Sequence, residues 1–493
     1  MEFSLPPLIE SLRPALPAEV PVYLVGGAVR DALLGRAIHD LDLIVPADAM
    51  RVARRLADQI GAAYYPMDER RDIARVVLND AAGARWNVDF AVFQGKDLED
   101  DLRNRDFTIN AMAIAVQQPQ KLVDPTGGLA DLLAKRLRVC SPTSIQADPV
   151  RILRAVRQAV SLDFQIAPES LALIRQAMPL LKSVSVERLR DELFRIMGGS
   201  QPATAMRTLE MLGALPHMLP ELAALKGVEQ SAPHTHDVWE HTLSVMGNLQ
   251  VLLDVLGPAY DPDQAANLRL GLAVLRLGRY RERLAEHLAE PMTVDRPAKA
   301  LLMLAALYHD VGKPATQQAD ETGRLRFFDH DEVGAKMASR RANKLHLSNG
   351  EIDRLKLIIR HHLRPLLLVQ PEEPPTRRAI YRFFRDCGPV GVDVSILSLA
   401  DALGTYEASM PQDLWARHLD VVRALLEAWW EKPAESVKPP VLLDGHDLME
   451  TLGLQPGKEI GRLLEVVREA QATGQIQTRA EALALAKEAA GAV

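Results

Sequence analysis

Asp40 and Asp42 stand two residues apart in HDLDLIV, a short way after Gly26 and Gly27 in YLVGGAVRDALLG. In a strand, side chains at i and i+2 share a face. The two carboxylates then lie side by side with Ile44, while Leu41, Leu43 and Val45 face the core. Adjacent carboxylates repel unless a cation lies between them. Mg2+ suits that place, being a hard ion that takes one or two carboxylates together with phosphate oxygens. The apolar run Val22 to Val25 predicts a strand before the glycines, and Ala28 to Leu34 a helix after them. Backbone N–H groups at such a turn, backed by a helix N-terminus, cradle phosphate. A phosphate turn followed by metal carboxylates is the chemistry of nucleotide phosphoryl transfer. Taken alone, the same residues also allow a surface DxD loop beside a tight turn.

A second set of residues lies further along: His241 in HDVWEHTL, His309 and Asp310 in LYHDVGKP, and Asp401 in LSLADALGT. Imidazoles and carboxylates from separate helices bind a divalent transition metal, and water on such a metal attacks phosphoesters. Lys313 is a candidate phosphate contact. His330, His361 and His362 are candidates for a second metal or for substrate contact.

These residues need elements to hold them. β-like runs at 22–25, 41–45, 74–78 and 87–92, mixed with helical stretches, predict an α+β domain over residues 1–140. Apolar residues at three-and-four spacing predict a helical neck over 141–222. Residues 223–405 read as a helical, His- and Asp-rich domain, and 406–493 as a C-terminal helical module that includes a Pro-containing linker, Glu431 to Gly445.

Further segments follow in order: LEDDLRNRDFTINAMAIAV, LVDPTGGLADL, ADPVRILRAVRQA and VSVERLRDELFRI. With the GG and DxD segments they resemble the class II tRNA nucleotidyltransferase and bacterial poly(A) polymerase family, within the polymerase-β-like nucleotidyltransferase superfamily. The resemblance covers about the first 220 residues. The order H…HD…D behind them resembles the HD phosphohydrolase superfamily.

The resemblance implies roles. Asp40 and Asp42 would hold Mg2+, and Asp89 in WNVDFAV stands where the superfamily has a third carboxylate. Gly26, Gly27 and Arg30 would hold the triphosphate, with Asp31 orienting Arg30 or simply opening a helix. Arg105 and Asp106 match the family's RRD, with Asn104 in place of its first Arg. Arg105 would contact ribose or phosphate and Asp106 would organise the turn; Thr108, Ile109, Asn110 and Met112 read as packing.

The family's base-selecting Glu-Asp-x-x-Arg is here Ala147, Asp148, Pro149, Val150 and Arg151, followed by Arg154. Pro149 suits a first helical turn, and residues three apart on a helix share a face. A carboxylate only accepts and a guanidinium only donates. That pair matches the amine-plus-ring-nitrogen edge of C and A and rejects the reverse edge of U and G. Glu187, Arg188 and Glu192 match an ERxxxE motif, or are helix-surface ion pairs.

Between Asp89 and LEDDL this chain has only FAVFQGKD, where CCA-adding relatives carry a longer loop associated with the switch from C to A. The short segment favours a CC-adding enzyme whose final A comes from a partner enzyme. Full CCA addition remains if a loop elsewhere, around Asp80 to Gly83, takes over.

The 493-residue chain carries a net charge of −7 and only two cysteines, Cys140 and Cys387. This composition gives no disulfide framework and no apolar leader, and predicts a cytoplasmic protein with no membrane partner. The charge argues against a surface uniformly coated by nucleic acid, not against a local basic face. The reading is thus a template-independent tRNA 3′-end nucleotidyltransferase using CTP, with ATP as a second substrate if it completes CCA. Its HD domain would hydrolyse RNA-end phosphates. The alternatives are a poly(A) polymerase, or an HD phosphohydrolase with a non-catalytic RNA-binding front half.

Overall fold

The computed structural model describes residues 7–38, 40–80, 83–119, 121–260, 267–370 and 373–491. Ala81 and Ala82, within the alternative loop site at Asp80 to Gly83, lie outside the described residues. Contacts divide the chain into two compact units. One holds residues 1–185 with 212–217; the other holds 186–211 with 218–493. The 141–222 stretch expected as a single neck is therefore shared between them.

The first unit is built on a seven-stranded sheet of order β3-β4-β5-β2-β1-β6-β7. The strands are β1 (Tyr23–Val25), β2 (Asp40–Val45), β3 (Ala63–Asp68), β4 (Ile73–Asn79), β5 (Arg85–Val92), β6 (Ala113–Ala115) and β7 (Leu122–Val123). β2 and β5 run parallel, with Asp42 level with Asp89, whereas β1 pairs antiparallel to both β2 and β6. Alternation sends Leu41, Leu43, Val76, Val88 and Phe90 inward, each at most 1% exposed. The helix Ala49–Ile60 lays Val52, Ala53 and Leu56 into the core.

The other face is not wholly polar. Ile44, expected beside the aspartates, is buried with Val25, Leu102, Ala111 and Ala113 in a small apolar cluster at the end of the carboxylate row. β3, β6 and β7 are additions to the sequence reading. β3 is an edge strand carrying Pro66, and β6 and β7 are too short to show a period.

LVDPTGGLADL is a support for the RDFTIN segment. Asp124 accepts the N–H groups of Gly128 and Leu129, turning the chain into the helix Gly128–Leu133. Gly128 lies directly against the Thr108 carbonyl, where a Cβ would overlap it. Asp131 accepts from the Thr108 hydroxyl at 2.7 Å and from Arg138 at 2.8 Å.

The second unit is helical. Its centre is the helix Gly391–Tyr406, buried from Gly391 to Gly404, beside Ala298–Tyr308. The apolar run within Arg377–Ser409 is long enough to cross a membrane, but 89% of it is buried inside the protein, which accounts for its composition. Ser348 and Glu351 form a capping box at the start of Asn349–His361, and Arg296 grips the buried Glu351 with two hydrogen bonds. The C-terminal helices Lys458–Ala472 and Arg479–Gly491 close over Leu443, Leu448, Leu463, Val467 and Ala482.

Gly128→Ala should lower stability by about 1–3 kcal/mol, because the added methyl meets backbone rather than a side chain that can swing away. Thermal unfolding checks this, with Gly247→Ala as control, since a Cβ at Gly247 meets nothing within 4 Å.

Candidate functional site

At the end of β1 the chain reverses through Gly26, at φ +74°, and enters the helix Gly27–Leu33. A Cβ there would lie 3.2 Å from Asp42 Oδ2 and 3.4 Å from Arg105 Nη1. The glycine thus fits both the left-handed turn and the tight approach of a carboxylate. Asp42 faces Asp89 across the parallel pair, while Asp40 accepts from Asn87 Nδ2 at 3.0 Å. Solvent reaches Asp42, yet the protein around it strips enough water to raise its pKa. Asp89 and Asp40 raise it further, against the pull of Arg105. Asp89 is held by Arg75 through two hydrogen bonds of 2.7 and 2.8 Å. The structure thus brings the three aspartates to one place and stresses them with their own charge. A divalent cation relieves that stress, so the donor set fits one.

Beside the aspartates is a cavity of about 250 Å³ lined by Gln94, Asp101, Asn104, Arg105, Asp106, Asp148, Arg151 and Arg154. Arg105 donates to the buried Asp101 at 3.0 Å. Arg154 reaches Asp106 at 2.7 Å. Burial opposes the charge on Asp106, but Arg154, the Asn110 amide and the Phe107 N–H overcome it and hold its pKa low.

Asp148 and Arg151 come within 3.8 Å, though not by the route expected. The helix starts at Arg151, and Asp148 precedes it in a non-helical conformation, at φ −146° and ψ 89°. Arg151 donates to Ser144 Oγ at 2.6 Å and to the carbonyls of Arg105 and Asn104 at 3.2 Å.

One further expectation changes, and one alternative left open is decided. Asn110 is not merely packing: it accepts from Arg30 at 2.8 Å and donates to Asp106 at 3.0 Å and Gln158 at 2.9 Å. Asp31 does not open its helix but lies within it, gripping Arg30 at 2.9 and 2.8 Å. The connection from β5 to the helix Leu98–Arg103 is residues 93–97, pinned by Asp97 on Asp100 N–H and by Asp101 on Gln94 N–H.

Glu187, Arg188 and Glu192 belong to the second unit. Exposed Glu187 pairs with His346 at 2.9 Å, and buried Glu192 with Arg195 at 2.6 Å.

In the second unit the helices Val238–Val255, Ala298–Tyr308, His330–Lys344, Asn349–His361 and Gly391–Tyr406 supply or flank two groups of side chains. These are His241 with His309 and Asp401, and Asp310 with His330 and His362. Within each group the ligand atoms lie within 4.8 Å of one another. His309, His330 and His362 each face a carbonyl three residues back through Nδ1, at 2.7–2.8 Å, which turns Nε2 inward. Nε2 of His330 and of His362 is buried with no hydrogen-bond partner. Burial works against a charge on His241, but Asp310 and Asp401 push its pKa up to about 9. Burial likewise opposes charge on Asp310, yet His309, Lys313 and His241 hold its pKa well down. Lys313 lies 2.6 Å from Asp310. Inward lone pairs beside anionic carboxylates fit a divalent transition metal. His361 does not join them: its charged neighbours are Arg364, Asp386, Arg360 and Asp331, and burial lowers its pKa. One residue along the same helix end, His362 turns inward instead.

Four families match along the chain: the Poly A polymerase head domain over residues 22–138, the RNA- and SrmB-binding region of polymerase A over 163–226, the HD domain over 238–405, and domain 2 of tRNA nucleotidyltransferases over 422–486. An A-adding tRNA nucleotidyltransferase of Deinococcus radiodurans is 34% identical, covering 96% of each chain. A CC-adding tRNA nucleotidyltransferase of Geobacter sulfurreducens is 33% identical over 97% of this chain and 94% of its own. The solved Thermotoga maritima CCA-adding enzyme, complexed with tRNA, shares the fold at TM-score 0.57 and 21% identity. That match covers 99% of this chain and 97% of the other. The fold and the two sites define a polymerase-type nucleotidyltransferase head followed by an HD domain. The chain belongs to the tRNA nucleotidyltransferases, a family of enzymes whose polymerase-type chemistry implies a divalent metal.

Arg154→Gln should destabilise the first unit by about 2 kcal/mol at neutral pH, the scale of a lost hydrogen bond to a charged group. A carboxylate whose folded pKa is depressed contributes stability above its unfolded value and loses it as pH falls through the folded value. The gap between wild type and variant, read by chemical denaturation, should therefore narrow below about pH 4.

Proposed function

We propose that the protein extends tRNA 3′ ends without a template, adding C from CTP at the Asp40–Asp42–Asp89 face. In this reading it is a CC-adding enzyme, and a separate A-adding enzyme completes the end. The observation that carries this is the closeness of the three-aspartate face to the cavity lined by Asp148 and Arg151, with Arg105 lining that cavity and approaching Asp42 at Gly26. Asp40, Asp42 and Asp89 would hold Mg2+, which neutralises charge on the attacking and leaving oxygens.

The chain's own residues bind and orient. The turn at Gly26 and Gly27, with Arg30, takes the triphosphate, and Arg105 takes ribose or phosphate. Asp148 accepts from the cytosine amine while Arg151 donates to the ring nitrogen. Arg154 and Asp106 fix the floor, and Glu187 and Arg188 stiffen their helix. The tRNA 3′-oxygen bonds to the α-phosphorus, the bond to pyrophosphate breaks, and the hydroxyl proton leaves to solvent. The short, pinned 93–97 connection supports stopping after C.

The HD site would hold a divalent transition metal on His241, His309, Asp310 and Asp401, assisted by His330 and His362, and hydrolyse 2′,3′-cyclic or 3′-terminal phosphates on RNA. Water's oxygen joins phosphorus, the ester P–O bond breaks, and the proton goes to the leaving oxygen. Two free cysteines suit the reducing cytoplasm.

The test is a tRNA transcript lacking CCA, supplied with CTP, ATP or both. Growth by two residues on CTP and none on further ATP is expected. Growth by three would make it a full CCA-adding enzyme, growth by one on ATP to a CC-ended transcript an A-adding one, and long ATP tails a poly(A) polymerase. Asp42→Asn should lower addition about 100- to 1,000-fold, the scale of losing one transition-state charge contact; unchanged turnover would exclude this site.

A further inference from the structure

The HD cluster opens into a cavity of about 410 Å³, within the roughly 300–1,000 Å³ usual for small-molecule sites. Its floor carries the inward nitrogens of His330 and His362, but much of its wall is apolar: Pro233, Leu325, Phe327, Phe328, Leu363 and Leu366. A bare phosphate or a small polyol phosphate would leave that wall without a partner. The side of the cavity is the hairpin Gln317–Ala319/Leu325–Phe327. The hairpin is tied down, with Leu325 N–H donating to Ser231 Oγ at 2.8 Å and Arg324 to the Ala232 carbonyl at 2.9 Å.

Just beyond the hairpin, Phe328 is 66% exposed at the cavity wall, a costly place for an aromatic ring with nothing to cover it. Its neighbour Phe327 instead packs under Lys313, whose Nζ lies 5.5 Å from the ring centroid. Arg324 is exposed on the same wall and its guanidinium donates to a neutral carbonyl, while the nearby Asp320 pairs with Arg326 at 3.1 Å.

We infer that this wall is a nucleoside subsite: Phe328 stacks the base of the nucleotide whose phosphate reaches the HD cluster, and Arg324 holds the preceding phosphate of an RNA chain. The occupant is a single-stranded RNA 3′ end carrying a terminal phosphate. Every base has a π-face, so stacking recognises a nucleoside without selecting its sequence. The inference rests on the HD phosphohydrolase reading, and it makes Phe328 and Arg324 recognition residues, with no part in bond cleavage.

The test uses the full-length protein with Mn2+, Co2+ or Ni2+, and compares hydrolysis of a short RNA ending in a 3′-phosphate, of 3′-CMP and of glycerol 2-phosphate. Binding of 3′-CMP to the EDTA-treated protein is measured by calorimetry alongside. Wild type should prefer both nucleoside esters to glycerol 2-phosphate. Phe328→Ala should cut that preference, and 3′-CMP affinity, roughly tenfold, the scale of one base stack, with the unfolding midpoint kept. Arg324→Gln should cut the preference for RNA over 3′-CMP and flatten its salt dependence. Equal use of glycerol 2-phosphate, or 3′-CMP binding indifferent to Phe328→Ala, overturns the subsite. An RNA preference indifferent to Arg324→Gln overturns the RNA end in favour of a free nucleotide. If none of the three is hydrolysed with any metal, the phosphohydrolase reading fails, while the calorimetry still decides the subsite.

Discussion

The parallel pairing of β2 with β5 sets Asp42 level with Asp89 and leaves Asp40 two residues away. Nothing in packing requires three carboxylates there. Their repulsion, strengthened by partial removal from water, is what the surroundings must offset. Arg75 takes up Asp89, Asn87 takes Asp40, and Arg105 faces Asp42 across Gly26. The buried alternation of Leu41, Leu43, Val88 and Phe90 on the opposite face holds the two strands in this register. A slip of one residue would turn those side chains outward, so the hydrophobic core is what keeps like charges together. The HD cluster meets the same constraint differently. Its carboxylates are buried, and Lys313 offsets Asp310 at 2.6 Å while Asp310 and Asp401 together raise the pKa of His241.

β1, β2, β4 and β5 were legible because each alternates or runs apolar between turn residues. β3 was not, since AYYPMD is an edge strand whose side chains are largely exposed. The two-face reading of β2 failed at Ile44 because the sheet's second face is covered locally by Leu102 and Ala111, which no pattern inside β2 reveals. Asn110 sits among apolar residues and reads as packing. Its partners Arg30 and Gln158 are 80 and 48 residues away, and only the fold brings them in. His361 and His362 differ by one step of a helix end, about 100° of rotation, so composition cannot say which ring turns inward. The roles of the aspartates and of Asp148 with Arg151 came from the family resemblance; chemistry alone left them open.

Net charge was the least informative quantity. A chain at −7 still carries three arginines in one cavity, and each is countered locally: Arg105 by Asp101, Arg151 by Asp148, Arg154 by Asp106. These pairs lower the overall positive field but fix where each guanidinium points. Arg151 has several donors committed to Ser144 and to the carbonyls of Asn104 and Arg105. Its position is thus set by the protein alone, so in the proposed reading a base edge would have to fit donors and acceptors it cannot move.

That rigidity bears on template-free selection. A uracil edge set against Asp148 and Arg151 would oppose acceptor to acceptor and donor to donor. A buried polar group left unsatisfied costs about 1–3 kcal/mol, so two mismatches together would discriminate by roughly 30- to 20,000-fold. A mobile pocket would lose most of this, because side chains would swing to relieve the mismatch. The same fixity argues against one pocket fitting C and then A without a moving part. The 93–97 connection is tied by Asp97 and Asp101, and Asp101 also holds Arg105. Any rearrangement of the connection would therefore disturb the Gln94 N–H bond to Asp101, the buried carboxylate that positions Arg105 in the cavity.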